Sequence, residues 1–309
     1  MKRHCKIACL LLSLALLLPL AAACAESSDT PGIGGPSFTD STGVKVTLTA
    51  HPRRVAVLFS SFADLWLSAG GEVAMTVGES VERGIVPDTV TVLADGAGKA
   101  PGAEVIIAAA PDLVILSADL AGHVSCAERL REAGIPTALF HVETFTDYLA
   151  VLKIFTDLNG RPDLYESVGL TQKAVIDALI ASKPLNGKKI LFARATASAV
   201  KAKGSGDSFA AAMLTELGAV NLADGIPLLL DGLSVETVVR ESPDYLIFTA
   251  MGSEAAARGN VSLLLEGEAW STLDAVQGGA WSFLPKELFH YKPNAKWAEA
   301  YTYLAELIP

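Results

Sequence analysis

The chain has 309 residues, of which 51% are hydrophobic, and its formal net charge is −10 at pH 7. This length suggests two domains of ordinary size, and the apolar content excludes a disordered protein. The negative charge argues against binding nucleic acid through a basic face.

Residues 1–23 have the pattern of an export signal. A basic start at Lys2, Arg3 and Lys6 precedes an apolar run that is too short for a comfortable membrane span, and small residues end the segment. The sequence therefore predicts a signal peptide and an exported protein.

Two processing routes stay open at Cys24. The letters L-A-A-A-C ending at this position resemble a bacterial lipobox, which would make Cys24 the lipidated first residue of the mature protein. Ala21 stands where that pattern prefers Leu, so cleavage by the ordinary signal peptidase is the alternative. Residues 24–37 are small, polar and rich in Gly and Pro, which predicts a flexible tether. Behind a lipidated cysteine, such a tether would hold the protein at a membrane face.

Residues 38–143 are predicted to form a first α/β lobe. Residues 38–48 alternate around a turn and predict a hairpin, and the unbroken apolar run at 55–59 predicts a buried strand. Further strands are expected at residues 73–77, 113–116 and 137–140. The segment 78–84 is expected to be a loop. Four parallel strands joined by helices give the doubly wound pattern.

The strand pattern disappears at residues 144–183, where two helical stretches are predicted instead. Phe145 and Tyr148 fall at helical spacing among apolar neighbours, so we expect them in the core. Strands resume after this connector, and residues 184–309 are predicted to form a second α/β lobe that ends in a helix at 294–307. The helical segment would make a stiff connection between the lobes.

One stretch of the chain occurs twice. E-V-I-I-A-A-A-P-D-L-V-I-L at residues 104–116 is matched by E-T-V-V-R-E-S-P-D-Y-L-I-F at residues 236–248. Because the residue before proline avoids helical backbone, each copy predicts a helix that ends by Ala110 or Ser242 and is followed by a buried strand. Two lobes of the same α/β build are therefore predicted, and two copies are too few for a solenoid.

The order of these parts resembles a family, the substrate-binding lipoproteins of ABC importers in the group that serves iron-siderophores, haem and cobalamin. The letters that carry the resemblance are F-T-D-S-T-G-V-K-V-T-L, P-R-R-V-A-V-L, S-S-F-A-D-L-W-L-S-A-G-G, L-R-E-A-G-I-P and the two copies of the repeat. The resemblance implies two Rossmann-like lobes with parallel sheets, joined by a helical connector, with a ligand cleft between them.

The same resemblance implies a function without catalysis and without a cofactor. Members of this family capture a small metal chelate and deliver it to an ABC permease dimer that is driven by a cytoplasmic ATPase. They close only slightly on the ligand, because the connecting helix resists a wide hinge. For this chain we expect a monomer held at the membrane by a lipid anchor.

The resemblance also suggests a role for the glutamates that open the two repeat copies. In the family, one glutamate on each lobe pairs with arginines of the permease, and Glu104 and Glu236 match those positions. The alternative is that each carboxylate offsets the dipole of its own helix, which is worth about 0.3–1 kcal/mol. The occurrence of both at equivalent positions favours docking, where charge pairs steer the encounter and fix orientation.

Ligands of open parallel sheets bind beyond the carboxyl ends of the strands. This rule selects nine ligand-binding candidates: Ser60, Ser61, Phe62, Glu79, Arg83, Lys99, Ser117, Arg194 and Thr249. Trp281 is added because the family often places an aromatic wall at this point of the chain. The three cations would suit an anionic siderophore complex, since arginine pairs bidentately with carboxylate or catecholate oxygens. Solvated surface cations are the alternative for each of them.

Haem would instead need an axial ligand. The chain offers six side chains for this role: His51, His123, His141, His290, Tyr291 and Met251. No pattern selects one of them, and a lone histidine is more often structural. The transported ligand therefore stays open among a ferric siderophore, haem and a corrinoid.

Other classes of function have less support. The chain has no G-x-S-x-G elbow and no H-E-x-x-H, and G-A-G-K at residues 96–99 lacks the other residues of a phosphate loop. A chelatase-like metal-handling enzyme is an alternative on grounds of fold. A binder of bare Zn or Mn ions, the other alternative, would need about three converging histidines and a carboxylate, whereas the histidines are widely scattered.

Overall fold

The computed structural model describes residues 35–94 and 102–308. The expected signal peptide, Cys24, the greater part of the tether and Lys99 lie outside these ranges. Within them, no helix is long and apolar enough to cross a membrane.

The described chain opens with a hairpin of strands β1 (Ser37–Thr39) and β2 (Lys45–Thr47), which pair antiparallel as the alternation predicts. The buried carboxylate of Asp40 accepts hydrogen bonds from the backbone N–H groups of Thr42 (2.9 Å) and Val44 (3.0 Å). These bonds satisfy the polar groups of the turn and fix its position.

A five-stranded sheet follows, in the order β5-β4-β3-β6-β7, and all its pairings are parallel. Its strands are β3 (Val55–Val57), β4 (Met75–Val77), β5 (Thr91–Ala94), β6 (Leu113–Ser117) and β7 (Thr137–Phe140). The accompanying helices are α1 (Ser60–Ser68), α2 (Gly78–Glu82), α3 (Ala103–Ala109) and α4 (Ala121–Glu132). Leu113 and Ile115 of β6 enter one core, whereas Val114 and Leu116 enter another. Burial on both faces explains the unbroken apolar sequence.

Two elements of this first sheet differ from the sequence prediction. Strand β5 is a fifth strand at the edge, and two of its residues are exposed, so it lacks the apolar run of a buried strand. Helix α2 occupies most of the segment expected to be a loop. Its 5 residues are too few to show a helical period.

The segment between the two sheets contains the helices that the sequence predicts. They are α5 (Phe145–Leu158), α6 (Pro162–Leu164), a π-helical stretch (Tyr165–Leu170) and α7 (Thr171–Ser182). Thr144 and Asp147 form a reciprocal capping box at the start of α5, which fixes where the helix begins.

The second sheet has the order β10-β8-β11-β12, with β9 also paired to β8. Its strands are β8 (Lys189–Ala195), β9 (Val200–Ala202), β10 (Val220–Asn221), β11 (Tyr245–Ala250) and β12 (Trp281–Phe283). Strand β9 is antiparallel to β8 because the two are joined by a tight turn, whereas the other pairings are parallel. The predicted fold class, α/β with parallel sheets and a helical connector, is confirmed, with β9 as an antiparallel addition.

Helices cover this second sheet as well. They are α8 (Phe209–Glu216), α9 (Leu222–Gly225), α10 (Pro227–Gly232), α11 (Val235–Glu241), α12 (Glu254–Glu266), α13 (Asp274–Gln277), α14 (Lys286–Phe289) and α15 (Trp297–Leu307). Short 3-10 turns lie at Trp270–Thr272 and Asn294–Lys296.

One hydrophobic core joins the two sheets through the connector. It contains side chains of β3 and β6 from the first sheet, of α5 and α7 from the connector, and of β8 and α15 from the second half. Trp297, which is 1% exposed, lies at its centre. The ring of Trp297 is 5.9 Å from Phe145, 6.2 Å from Tyr148 and 5.9 Å from Phe209 between centroids. The expected core positions of Phe145 and Tyr148 are confirmed.

The helix, break and strand predicted for each copy of the repeat are confirmed. Helices α3 and α11 stop at Ala110 and Ser242, whose backbones are left-handed with φ of 49° and 47°. Each stop stands directly before the Pro-Asp pair, and strand β6 or β11 follows. Proline therefore ends the helix in both halves by the same backbone mechanism.

The aspartate of each Pro-Asp pair has a structural task. Asp112 accepts a hydrogen bond from the backbone N–H of Arg54 at 3.0 Å, and Asp244 accepts one from Lys189 at 2.7 Å. Both donors lie at the start of the neighbouring strand, β3 or β8. The carboxylate thus connects the strand after the helix to the strand beside it. This shared task explains why both copies of the repeat have an aspartate directly after the proline.

His123 of α4 is fully buried behind the end of β6. Its Nδ1 accepts a hydrogen bond from the backbone N–H of Ser117 at 3.0 Å, so the proton of the neutral ring is on Nε2. Among the described residues that Nε2 has no hydrogen-bond partner, and the ring meets Phe59 edge to face. Burial lowers the pKa of His123 to about 4.

This burial makes stability depend on pH. Between about pH 6.5 and about pH 4 the unfolded chain binds a proton at His123 and the folded chain does not, so acidification destabilises the fold. We expect the His123 contribution to fall by up to about 1.4 kcal/mol per pH unit in this window. His123→Gln keeps an acceptor for the backbone N–H of Ser117. Urea unfolding at several pH values should show that the free energy of unfolding depends less steeply on pH in this variant than in the parent protein. Equal slopes in both proteins would contradict the prediction.

Candidate functional site

A cluster of polar side chains lies at the carboxyl ends of β3 and β4 in the first sheet. Ser60 opens α1 after β3, and Glu79 and Arg83 follow β4 in and after α2. The hydroxyl of Ser60 donates to the Glu79 carboxylate and accepts from an Arg83 guanidinium N–H at 2.8 Å. The serine therefore holds a cation and an anion at fixed positions beside the strand ends.

Arg83 is clamped from the other half of the molecule by Tyr291. The guanidinium carbon lies 3.7 Å from the centroid of the tyrosine ring, a close cation–π contact. Burial lowers the pKa of Arg83, and the nearby carboxylates of Asp64 and Glu79 act in the opposite direction. Since arginine stays protonated in proteins, Arg83 is a fixed, half-buried positive charge.

The segment that carries Tyr291 is anchored by Asn294. The Asn294 side-chain amide donates to the carbonyl of Ser61 and to the carboxylate of Asp64, both at 2.8 Å. The backbone carbonyl of Asn294 accepts a hydrogen bond from the side-chain amide of Gln172 in α7 at 3.3 Å. Asn294 is buried and its backbone is left-handed, with φ of 49°. One residue thus fastens residues 290–294 to the first sheet and to the connector.

Three cavities meet along residues 290–292. The Ser60 cavity, of about 240 Å³, lies between Phe59, Ser60, Ser61 and Glu79 on one side and His290, Tyr291 and Lys292 on the other. The Arg83 cavity, of about 530 Å³, also includes Asp64 and Lys296. The Arg194 cavity, of about 240 Å³, includes Thr249, Ser208 and Glu143. Lys292 lines all three.

The Arg194 cavity lies at the carboxyl ends of β8 and β11. Arg194 and Thr249 are register partners on these strands, so both reach the same edge of the second sheet. Lys292 enters from the anchored segment and pairs with Glu143 at 2.6 Å. The rule that selects strand ends therefore places residues of both sheets around one group of cavities.

Six of the ten expected ligand-binding residues line this group of cavities. They are Ser60, Ser61, Glu79, Arg83, Arg194 and Thr249. Lys99 lies outside the described residues. The sequence rule thus selects side chains of different strands that the structure brings to one group of cavities.

Three expected residues are placed elsewhere. Phe62 is buried in the core, where its ring packs on Phe59 and Phe140. Ser117 is fully buried, and its hydroxyl accepts from the backbone N–H of Asp119 at 3.2 Å. Trp281 lies in β12 and packs against the core of the second sheet. None of the three lines the cavities around residues 290–292.

The cavities contain residues that the strand-end rule does not reach. Lys292 lies between α14 and α15, and Glu143 lies between β7 and α5, and the rule selects neither of them. The aromatic surface comes from Phe59, Tyr291, Phe209 and Phe289 rather than Trp281. Only the aromatic and charged composition of residues 290–292 signals this segment in the sequence.

The six side chains offered as haem ligands also separate. Among them, His290, Tyr291 and Met251 line the cavities. His51 contacts the Leu158 carbonyl, His123 is buried, and His141 pairs with Asp119. Burial and then the neighbouring Lys286 charge lower the pKa of His290, so its ring is neutral at pH 7. In the parts of the chain that the structure describes, no group of three or more His, Cys, Asp or Glu side chains could hold a metal ion.

Glu104 and Glu236 are both exposed in the first turns of α3 and α11. Glu104 has a side chain that is 70% exposed and pairs with Arg129, whose side chain is 59% exposed. Glu236 accepts a hydrogen bond from the Ser234 hydroxyl at 3.1 Å. Such surface pairs are worth only about 0–1 kcal/mol, so both carboxylates are available to a partner.

This chain is similar to known proteins both in sequence pattern and in fold. The family model described as periplasmic binding protein matches residues 55–288. Searching curated protein sequences gave no match. Solved structures, in contrast, match over most of the chain.

Three of these structures illustrate the likeness. A periplasmic binding protein from Veillonella parvula DSM 2008 is 15% identical, with a TM-score of 0.70, covering 88% of this chain and 90% of that one. The periplasmic heme-binding protein RhuT from Roseiflexus sp. RS-1 is 18% identical, with a TM-score of 0.66, covering 83% and 97%. The catecholate-siderophore binding protein VctP from Vibrio cholerae is 15% identical, with a TM-score of 0.68, covering 88% and 98%. The TM-scores show that these proteins share the fold of this chain, and at such low identity the likeness concerns the fold alone.

The Asn294 anchor can be tested by two substitutions. Asn294→Ala removes both side-chain hydrogen bonds, one of them to a carboxylate, and leaves a less suitable residue in left-handed backbone. We expect it to lower the free energy of unfolding by about 2–4 kcal/mol. Asn294→Gly loses the same hydrogen bonds, but glycine adopts left-handed backbone without strain. It should therefore lower the free energy of unfolding by less than Asn294→Ala. Urea unfolding measures both, and an alanine variant as stable as the parent would contradict the anchor.

Proposed function

The chain belongs to the periplasmic binding protein family, and we propose that it captures a metal chelate in the cavities around residues 290–292 for an ABC permease. The candidate ligands are a ferric siderophore, haem and a corrinoid. The observation that carries the proposal is the convergence of Ser60, Glu79 and Arg83 from the first sheet with Arg194 and Thr249 from the second around one anchored segment.

Two features of the site support a chelate over a small polar solute. The Arg83 cavity alone has about 530 Å³, within the range of sites for drug-sized ligands. The three cavities together combine aromatic rings with fixed charges, which suits a large complex with an apolar periphery and anionic oxygens. The names of RhuT and VctP report heme and a catecholate siderophore as the ligands of proteins with this fold.

The shared core suggests how loading proceeds. Because α5, α7 and α15 are packed into one core with both sheets, a wide hinge would expose buried aromatic rings. Ligand entry would therefore move the two halves only slightly. The fixed geometry of Arg83 and Tyr291 would bind with little ordering cost.

The family places the protein outside the cytoplasm, beside an ABC permease. Lipidation at Cys24, with residues 24–37 as a tether, would keep a monomeric binding protein near that partner. Glu104 and Glu236 would dock on basic side chains of the two permease subunits. Their exposure at equivalent turns of α3 and α11 supports this assignment.

The docking role predicts a specific defect in transport. In Glu104→Ala combined with Glu236→Ala, we expect uptake to fall by about tenfold or more, because the charges that orient the protein on the permease are lost. The purified variant should bind ligand with the parental affinity. Glu266→Ala combined with Glu306→Ala removes the same charge from exposed positions elsewhere and serves as the matched control. Normal uptake by the first variant would exclude docking through these residues.

Ligand class has a direct spectroscopic test. The full chain, purified from its host, should carry visible absorbance from bound ligand. A Soret band would indicate haem, a corrinoid spectrum would indicate cobalamin, and a broad charge-transfer band would indicate a ferric siderophore. A colourless protein that binds none of these on titration would contradict the proposed function.

A further inference from the structure

The Arg194 cavity gathers hydrogen-bond donors that have no acceptor in the described part of the chain. Thr249 is 7% exposed, and its buried hydroxyl has no hydrogen-bond partner there. Burying a hydroxyl without a hydrogen-bond partner is unfavourable. Thr249 lies in the wall of a cavity of about 240 Å³, so its hydroxyl can donate to a ligand group that enters there.

Arg194 stands beside this hydroxyl. The two residues are register partners on parallel strands, so their side chains leave the sheet on the same face. The Arg194 guanidinium is half-buried and forms no ion pair or hydrogen bond with any described residue. Arg83, in contrast, is held by Ser60 and Tyr291. Arg194 is therefore the arginine of the cleft whose five N–H donors are unused.

The start of α8 adds further donors to the same cavity. Ser208 is the N-cap residue of this 8-residue helix, is buried, and its hydroxyl does not cap the helix. The backbone N–H groups of the first turn have no intrahelical acceptor, and the helix dipole places partial positive charge there. Phe209 of this turn lines the cavity beside Ser208.

Acidic side chains at the cavity are already engaged. The Glu143 carboxylate is paired with Lys292 at 2.6 Å, and the Asp207 carboxylate accepts from the backbone N–H of Gly204 at 3.3 Å. His290 is neutral at pH 7. Arg194, in contrast, is paired with no described carboxylate. An incoming anion would meet its guanidinium together with two hydroxyl groups.

We propose that the Arg194 cavity binds a carboxylate group of the transported chelate. Arg194 would contact both carboxylate oxygens, and Thr249 and Ser208 would donate their hydroxyl hydrogens to the same group. About 240 Å³ is less than a whole ligand site usually has, so the cavity takes one arm of the chelate while the metal centre lies toward Arg83. This inference rests on the proposed function and specifies its ligand as a ferric complex with free carboxylates.

The test compares three ferric complexes on the full chain by tryptophan fluorescence titration. The probes are ferric citrate, a ferric trihydroxamate without carboxylates and a ferric tris-catecholate. We expect ferric citrate to bind more tightly than the trihydroxamate and the tris-catecholate. Arg194→Ala should weaken ferric citrate by about tenfold or more, and Arg194→Lys should recover only part of this, because lysine cannot bind both oxygens.

Two further variants separate a ligand contact from a structural effect. Thr249→Val keeps the shape but loses the hydroxyl, and we expect ferric citrate to bind about three- to tenfold more weakly. Thr249→Ser keeps a hydroxyl at this position and should bind ferric citrate with an affinity close to that of the parent protein. Lys188→Ala removes one positive charge at the opposite end of β8 and should leave the affinity unchanged. Urea unfolding of each variant shows whether the fold is intact.

The outcomes distinguish this inference from the function beneath it. If the trihydroxamate or the tris-catecholate binds as well as ferric citrate, or if Arg194→Ala leaves citrate binding unchanged, the carboxylate assignment is overturned and the chelate function stands. If inorganic phosphate alone binds and Arg194→Ala abolishes that binding, the cavity is a general anion site and the assignment also fails. If no ferric complex, haem or corrinoid binds the parent protein, the proposed function itself is wrong.

Discussion

The burial of Trp297 is the interaction on which the rest of the structure depends. Its ring contacts Phe145 and Tyr148 of the connector and Phe209 of the second half, and the same core continues into β3 and β6. Separating the two sheets would expose this aromatic surface to water, and the dense packing of the core resists any wide movement. The relative position of the strand ends is therefore set by the core rather than by the cleft.

The rigid core fixes the charged side chains of the cleft. Asn294 stands just before Trp297 in the chain, and its hydrogen bonds to Ser61 and Asp64 fix the segment that crosses between the sheets. Tyr291 can then cover Arg83, so one cation is oriented in advance. The second cation, Arg194, is positioned by strand register alone and keeps its donors free. The cavities therefore contain one arginine whose donors are engaged and one whose donors are not.

The positions that could be predicted from the sequence are those that follow from the backbone. The repeat predicted the breaks at Ala110 and Ser242, and the strand-end rule selected Ser60, Glu79 and Arg194, because the carboxyl ends of parallel strands must share an edge. The sequence pattern missed β5, whose exposed edge needs no apolar run, and α2, which is shorter than the pattern can reveal. Side-chain direction was also beyond it, since Phe62 points into the core beside two serines that line the cleft.

By itself the sequence determined two α/β halves of the same build, a helical connector and the edge of each sheet at which the selected polar side chains lie. These follow from periodicity, proline and burial, which are properties of neighbouring residues. Only the tertiary structure decided that residues 290–292 lie between those edges, and that Asn294 anchors them to a helix far away in the chain. Contacts of that kind depend on packing between distant segments, and no local pattern encodes them. The glutamates of the repeat stand between these cases, because their exposure is a tertiary fact and their equivalence is written in the sequence.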